Sequence, residues 1–342
     1  MKFLLTAINA KFIHSNPAIY SLRAGAGEKL QPYVELAEFT INESLESILE
    51  GIWKRQPKVI GFSCYIWNWK LIREILTELP KILPDTEIWL GGPEVTYDGP
   101  GLLREFPQVT GIMVGEGEVT FREVLEQYLR EAETAGQSEQ QPESDSTEHQ
   151  VADRRGTVAG KSMVERFGQI PGLCLASGYT APRDLTDLTT LPFLYEDMEP
   201  FTNRIIYYET SRGCPYRCSY CLSSIDKKVR LRDISVVKRE LQFFLDQNVK
   251  QVKFIDRTFN CDHKHAMEIW RYIYEHDNGV TNFHFEISAD ILREEEIALL
   301  NRFRPGLAQL EIGVQSTNPE TIRAIHRVMD VDKLEKIVAA IH

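Results

Sequence analysis

Short apolar runs alternate along this chain with longer stretches of helical spacing, and the alternation occurs twice. In the first block, residues 2–8, 34–39, 59–63, 87–90 and 109–114 read as strands. Residues 17–30, 43–54 and 71–83 carry helical spacing, Gly91-Gly92-Pro93 reads as a turn, and a last helix follows residues 115–118 to about Arg130. Strands that alternate with helices form βαβ units, which require a parallel sheet covered on both faces. An α/β fold follows, with a Rossmann-like doubly wound parallel sheet over residues 1–130. In the second block, strands are expected at 205–209, 252–255, 283–288 and 308–314, and helices at 236–246, 263–275 and 294–303. Those four βα units are the opening portion of a TIM-like (β/α) barrel over residues 204–342.

Composition changes between the blocks. Residues 131–161 are rich in Glu, Gln, Ser, Asp and Gly and nearly lack large apolar side chains. Such a stretch cannot offset its ordering entropy by burial and reads as a flexible acidic linker or surface insertion. Together with a mixed connector it occupies residues 131–203, and Leu185, Leu188, Leu191 and Pro192 are expected to pack as an extended strap. Four units do not close a barrel, and the chain ends within a helical pattern. A sheet edge would be left open, so a fragment or truncated gene product is expected.

The formal net charge of −11 argues against a general nucleic-acid binder, which carries a basic excess. No apolar run approaches the roughly 20 residues that span a bilayer. The apolar N-terminus lacks the charged start, long apolar region and cleavage site of a signal peptide. The expectation is a soluble, cytoplasmic chain. In that compartment, three cysteines within eight positions point to metal or redox chemistry rather than disulfides.

Those cysteines are Cys214, Cys218 and Cys221, directly after an expected strand. Three thiolates at C-x3-C-x2-C spacing can hold three irons of a [4Fe–4S] cubane. The fourth iron then lacks a protein ligand and can chelate the amino and carboxylate groups of S-adenosylmethionine. One-electron reduction would release a 5′-deoxyadenosyl radical. Arg212 and Arg217 are placed to favour thiolate ionisation. The rival is structural zinc, which usually takes four ligands in two separated pairs. Cys261 and His263 are the available partners, but they sit beyond another strand.

The loop resembles the radical S-adenosylmethionine superfamily, whose signature is C-x3-C-x-aromatic-C, with Tyr220 at the aromatic position that in the family lies near the adenine. The segment around Asp256 and Thr258 is similar to the family's second-strand motif, which meets the methionine amino group. Glu286 and Ser288 fall on its third-strand motif, Gln315 on its fourth, and Arg327 on a basic position after it. The resemblance implies that Tyr220, Asp256, Thr258, Glu286, Ser288 and Gln315 contact S-adenosylmethionine. Cys261 reads as a buried thiol.

In the first block, the expected sheet-end loops are residues 9–16, 63–68, 91–97 and 115–118. Ligands of open α/β sheets bind at the carboxyl ends of the strands. The glycines there serve either tight turns or close backbone approach. The combination resembles the cobalamin-binding domain that precedes many radical S-adenosylmethionine cores. That resemblance implies corrinoid contacts from Asn9, Ser63, Tyr65, Trp67, Asn68, Gly91, Gly92, Pro93, Glu94, Gly115, Glu116 and Gly117. The family's D-x-H-x-x-G motif, which supplies a histidine to cobalt, is absent, and the setting of His14 does not match it. Cobalamin is therefore expected without a protein histidine, with Tyr65, Trp67 and Asn68 facing its lower side.

The reading implied is a cobalamin-dependent radical enzyme that transfers a methyl group to an unactivated atom of a substrate, small-molecule or other, that the sequence does not name. An electron donor such as a ferredoxin or flavodoxin would reduce it. One alternative is a transfer-RNA methylthiotransferase, which needs three more cluster cysteines in its first domain; only Cys64 lies there, with Cys174 in the connector. The other is a non-catalytic truncated module that holds a corrinoid or a cluster.

Overall fold

Every residue of the first strand, β1 (Phe3–Asn9), is buried. That is the expectation for a strand covered by helices on both faces. In the computed structural model, which describes residues 2–138 and 162–341, β1 lies inside a sheet ordered β2-β1-β3-β4-β5-β6-β7. Its other strands are β2 (Val34–Thr40), β3 (Val59–Ser63), β4 (Glu87–Gly91), β5 (Val109–Met113), β6 (Leu173–Leu175) and β7 (Gly178–Tyr179). The strands β1 to β5 run parallel. Helices α1 (Pro17–Gly25) and α5 (Gly117–Ser138) bury Ile19, Phe121, Val124 and Leu125 against one face. Helices α2 (Leu45–Trp53), α3 (Trp69–Ile82) and α4 (Gly99–Glu105) bury Ile48, Ile52, Ile72, Leu76 and Leu103 against the other. The sheet is doubly wound, as the alternation requires. Its order reverses between β1 and β3, which makes the carboxyl ends of those strands the place for a ligand.

Several boundaries differ from expectation. Helix α1 stops at Gly25 rather than residue 30, and a turn with Gly27 at φ +80 follows. Helix α4 falls where only loop was expected. Helix α5 continues to Ser138, eight residues into the span expected as linker; residues 139–161 of that span lie outside the described residues. Helix α6 (Met163–Phe167) then opens on a reciprocal cap between Ser162 and Glu165. After it, β6 pairs antiparallel with β5, and β7 folds back on β6. Arg166 fixes α6 in place. Its guanidinium donates to Glu87 (3.0 Å) and Glu131 (2.9 Å) and lies 5.1 Å from the centroid of the Tyr128 ring. The expected strap is uneven. Leu188 is buried in a single 3-10 turn, Leu188–Thr190, whereas Leu185 is exposed.

The chain forms two compact units, residues 1–186 with 192–197, and residues 187–191 with 198–342. In the second, β8 (Ile206–Tyr208), β11 (Gln251–Phe254), β12 (Asn282–Ile287) and β13 (Ala308–Ile312) form a parallel sheet ordered β13-β12-β11-β8. A separate two-residue ladder joins β9 (Ser211–Arg212) to β10 (Arg230–Leu231). Helices α7 (Ile234–Asp246), α8 (His263–Glu275), α9 (Glu294–Leu300), α10 (Pro319–Ala324) and α11 (Val331–Ile341) complete the unit. Its core is aromatic: Phe254 and Phe259 each lie 4.5 Å from the Phe285 ring. Glu240 of α7 accepts from Arg232 (2.8 Å) and from the Tyr208 hydroxyl (2.6 Å), which ties that helix to β8 and to the end of β10. These are the four βα units read from the sequence. Among the described residues, β13 pairs with β12 alone. No described helix is long and apolar enough to cross a membrane.

Candidate functional site

The cysteine loop leaves β8 through Glu209 and Thr210 and returns through β10, so the β9–β10 ladder closes its base. Gly213 begins the loop at φ +96, and a Cβ there would lie 2.4 Å from the Lys228 carbonyl oxygen. Only glycine fits that crossing. The Cys214 N–H donates to the Asp226 carbonyl (3.0 Å) and that of Cys221 to Cys218 (3.1 Å). Cys214 and Cys218 are buried and Cys221 is half-buried. Among the described residues, no three His, Cys, Asp or Glu side chains are already drawn together as an ion cage. The loop supplies three thiols in close sequence.

Neighbouring strand ends brace this loop. Asp256, beyond β11, is 1% exposed. Its carboxylate accepts from Thr210 and Ser211, which leaves it to position the loop base. Burial raises its pKa, and those hydrogen bonds oppose the rise. The Thr258 hydroxyl donates to the Arg257 carbonyl (2.8 Å) and lies 3.5 Å from the Cys214 sulfur. Ser288 exchanges backbone hydrogen bonds with the Asn260 side chain, and its hydroxyl donates to Asp290 (2.8 Å). Burial raises the pKa of Tyr216, on the loop. Glu286 lies 3.6 Å from Lys253 on the sheet. Gln315 is exposed at φ +64.

The cation beside a thiol is not the one expected. Arg212 pairs with Glu209 (2.8 Å), and Arg217 is exposed. It is Arg327 whose Nη1 lies 4.0 Å from the Cys218 sulfur. His263, weighed as a zinc partner, holds Glu296 through Nδ1 at 2.9 Å. Burial, with Cys214 nearby, pushes the Cys261 thiol up to about 11.

In the first unit, the expected loops lie at the carboxyl end of the sheet. Asn68 is fully buried. Its Nδ2 donates to the carbonyls of Ile8 (3.0 Å) and Ser63 (2.9 Å), and its Oδ1 accepts from the Tyr65 N–H (2.9 Å). With its amide spent in this way, Asn68 shapes the turn between β3 and α3 and cannot face a ligand as expected. The turn presents Tyr65 and Trp67, whose rings stack at 4.4 Å with Trp67 half exposed. Gly92 holds φ +109, and a Cβ there would come 2.5 Å from the Cys64 carbonyl oxygen. Pro93 is half-buried beside it and Glu94 exposed. Gly91 accepts from the Cys64 N–H (2.7 Å), and Gly115 has open space where a Cβ would stand. Glu116 accepts from the Thr186 N–H (2.7 Å), and Gly117 starts α5. Asn9 donates to Glu38 (2.8 Å), and Ser63 accepts from Asn16 (3.1 Å).

Comparison with known sequences assigns both units. The B12 binding domain family matches residues 4–125, and the Radical SAM superfamily matches residues 208–342. The chain belongs to the cobalamin-binding radical S-adenosylmethionine proteins. This family works with a [4Fe–4S] cluster, S-adenosylmethionine and cobalamin. Among curated relatives, a 2-(S-pantetheinyl)-carbapenam-3-carboxylate methyltransferase from Streptantibioticus cattleyicolor is 27% identical over 69% of this chain and 32% of its own length. The chain spans between 28% and 50% of the length of the first four curated relatives it matches. Two solved structures share the fold. The radical S-adenosylmethionine methyltransferase TsrM from Kitasatospora setae, solved with tryptophan substrate and a S-adenosylmethionine analogue, has a TM-score of 0.68 at 18% identity, covering 99% of this chain and 65% of its own. OxsB, solved with aqua-cobalamin and S-adenosylmethionine, has a TM-score of 0.71 at 15% identity, covering 99% and 47%.

The residues present fit the cofactors of a cobalamin-binding radical S-adenosylmethionine protein. Three thiols on one braced loop suit a cubane that leaves one iron open. In the first unit, Phe12, Ile13, Ile66, Trp67 and Tyr97 expose large apolar surfaces on loops that follow β1, β3 and β4. Sequence reading missed Thr210, Ser211 and His265, which brace the cysteine loop, and Asn16 and Glu38 near β1. Their partners lie tens of residues away, so no local pattern marks them.

Proposed function

We propose that this chain performs the cofactor-binding part of a radical methyl transfer to an unactivated atom of a small molecule. The observation that carries this is the C-x3-C-x2-C loop, closed by β9 and β10 beyond the first strand of a parallel four-stranded sheet. When bound, the cluster would deliver one electron to S-adenosylmethionine, and cobalamin would supply the methyl group. Cys214, Cys218 and Cys221 would hold three irons. Tyr220, Thr258, Glu286, Ser288 and Gln315 would contact S-adenosylmethionine, with Asp256 holding the loop from below. In the first unit, Trp67 and Tyr65 would cover the corrin's lower side and keep water from cobalt. Asn9, Ser63, Gly91, Gly92, Pro93, Glu94, Gly115, Glu116 and Gly117 would line the rest of that site. A low-potential donor of the ferredoxin or flavodoxin type would supply the electron. The methylthiotransferase alternative ranks second, because it needs three more cluster cysteines in the first unit, which holds only Cys64 and Cys174.

The test is anaerobic reconstitution with iron, sulfide and hydroxocobalamin, beside a Cys218→Ala control. A cubane signal in electron paramagnetic resonance that shifts with S-adenosylmethionine and vanishes in the control is expected. Corrinoid should stay with the chain through gel filtration. Bound zinc, or no cluster at all, would overturn the reading.

A further inference from the structure

Arg327 follows α10, more than a hundred residues beyond the cysteine loop. Its Nη1 donates to the Tyr220 hydroxyl (3.2 Å) and lies 4.0 Å from the Cys218 sulfur. Its Nη2 donates to the Gly313 carbonyl at the end of β13. Its Nε is buried with no acceptor among the described residues. Two residues earlier, the Ile325 carbonyl accepts from the Ser219 N–H at 2.9 Å, so the same turn also grips the loop's backbone. Between them, His326 takes φ +53, a left-handed conformation uncommon for a non-glycine residue.

We infer that Arg327 is a positioning residue for the cluster: it clamps the cysteine loop onto the fourth strand and sets the cluster's reduction potential. The inference rests on the cluster reading above. Net charge and hydrogen bonds at the sulfurs set the potential of an iron–sulfur centre. Reduction adds one negative charge, so a fixed cation at Cys218 favours the reduced state. A guanidinium is always charged and offers several donors in a fixed fork, so one side chain can hold Gly313, Tyr220 and Cys218 together. Tyr220 serves here as an acceptor for the clamp, a role its place in the cysteine signature did not suggest.

The experiment compares the wild-type chain with Arg327→Gln, Arg327→Lys and Tyr220→Phe. Iron and sulfide content are measured first. The cluster's midpoint potential is then read by titration, and hydrogen exchange over residues 214–222 is followed in the cluster-free chain. Arg327→Gln should shift the potential downward and speed exchange over 214–222, while α8 exchanges as in the wild type. Arg327→Lys should restore the potential but not the slow exchange, and Tyr220→Phe should keep the potential. A potential and an exchange rate both unchanged in Arg327→Gln would overturn the inference. So would equal potentials in the Lys and Gln variants, as far as the charge is concerned. Should Arg327→Gln bind no cluster, loop exchange alone decides: faster supports the clamp and unchanged rejects it. A wild-type chain without iron would instead remove the cluster reading, and the exchange comparison would still decide whether Arg327 holds the loop.

Discussion

The carboxylate of Asp256 accepts two hydrogen bonds from Thr210, one from its backbone N–H at 3.0 Å and one from its hydroxyl at 2.6 Å. A third comes from the Ser211 hydroxyl at 2.6 Å. The end of the second strand thus holds the point at which the first strand turns into the cysteine loop. Asp256→Ala removes the acceptor for three buried donors. Each buried group left unsatisfied costs about 1–3 kcal/mol, so a loss of roughly 3 kcal/mol or more is expected, together with reduced iron retention. Denaturant unfolding checks it, and a wild-type midpoint would contradict the bracing role.

His265 reaches the same hydroxyl, with Nε2 3.2 Å from Thr210 Oγ1. Burial lowers its pKa below the ordinary histidine value, and Asp262 opposes the shift. A base with a depressed folded pKa binds fewer protons in the folded chain than in the unfolded one. Its contribution to stability is present above the unfolded value, about 6.5, and is lost as pH falls through the folded pKa. Unfolding free energy of the cluster-free chain should therefore decline from about pH 7 to about pH 5. His265→Gln should flatten part of that decline, and His284, lowered in the same direction, should account for another part. Parallel curves for wild type and His265→Gln would refute the assignment.

Two glycines separate the two units' functions. Gly213→Ala places a Cβ 2.4 Å from the Lys228 carbonyl oxygen at φ +96, and Gly92→Ala places one 2.5 Å from that of Cys64 at φ +109. Backbone strain of this kind costs about 1–3 kcal/mol before the clash is added. Iron content should fall in Gly213→Ala with corrinoid retention unchanged, and the reverse is expected in Gly92→Ala. Loss of both ligands in either variant would mean that the sites are not independent.

Trp67 and Asn68 are neighbours with different tasks. Asn68→Ala strips a buried turn of three hydrogen bonds and should cost about 2–4 kcal/mol, since each orphaned group costs about 1–3 kcal/mol and some relax. Trp67 is half exposed, so Trp67→Ala should leave the unfolding midpoint nearly unchanged and weaken corrinoid retention. Full retention by Trp67→Ala would remove the stacked pair from the site.

Much of this was legible because buried parallel strands announce themselves. The residues of β1 and β3 are apolar but for Thr6, Asn9 and Ser63, and the cysteine spacing needs no context. What escaped was set by pairing over distance. Strands β6 and β7 are three and two residues long and exist because β5 offers an edge. Helix α4 opens with Gly99-Pro100-Gly101, a sequence that reads as a turn. The duties of Asp256 and Asn68 were misjudged for a related reason. A polar residue at a strand end looks the same in sequence whether it faces a ligand or secures a neighbouring loop.

The clasp of Arg166 on Glu131 has a practical side. It seats the start of α6 against α5, so the chain leaves one helix and re-enters at the other from anchored points. The strand β6 that follows α6 supplies the sheet's antiparallel edge, so loosening this one guanidinium would unseat the margin of the first sheet from a distance.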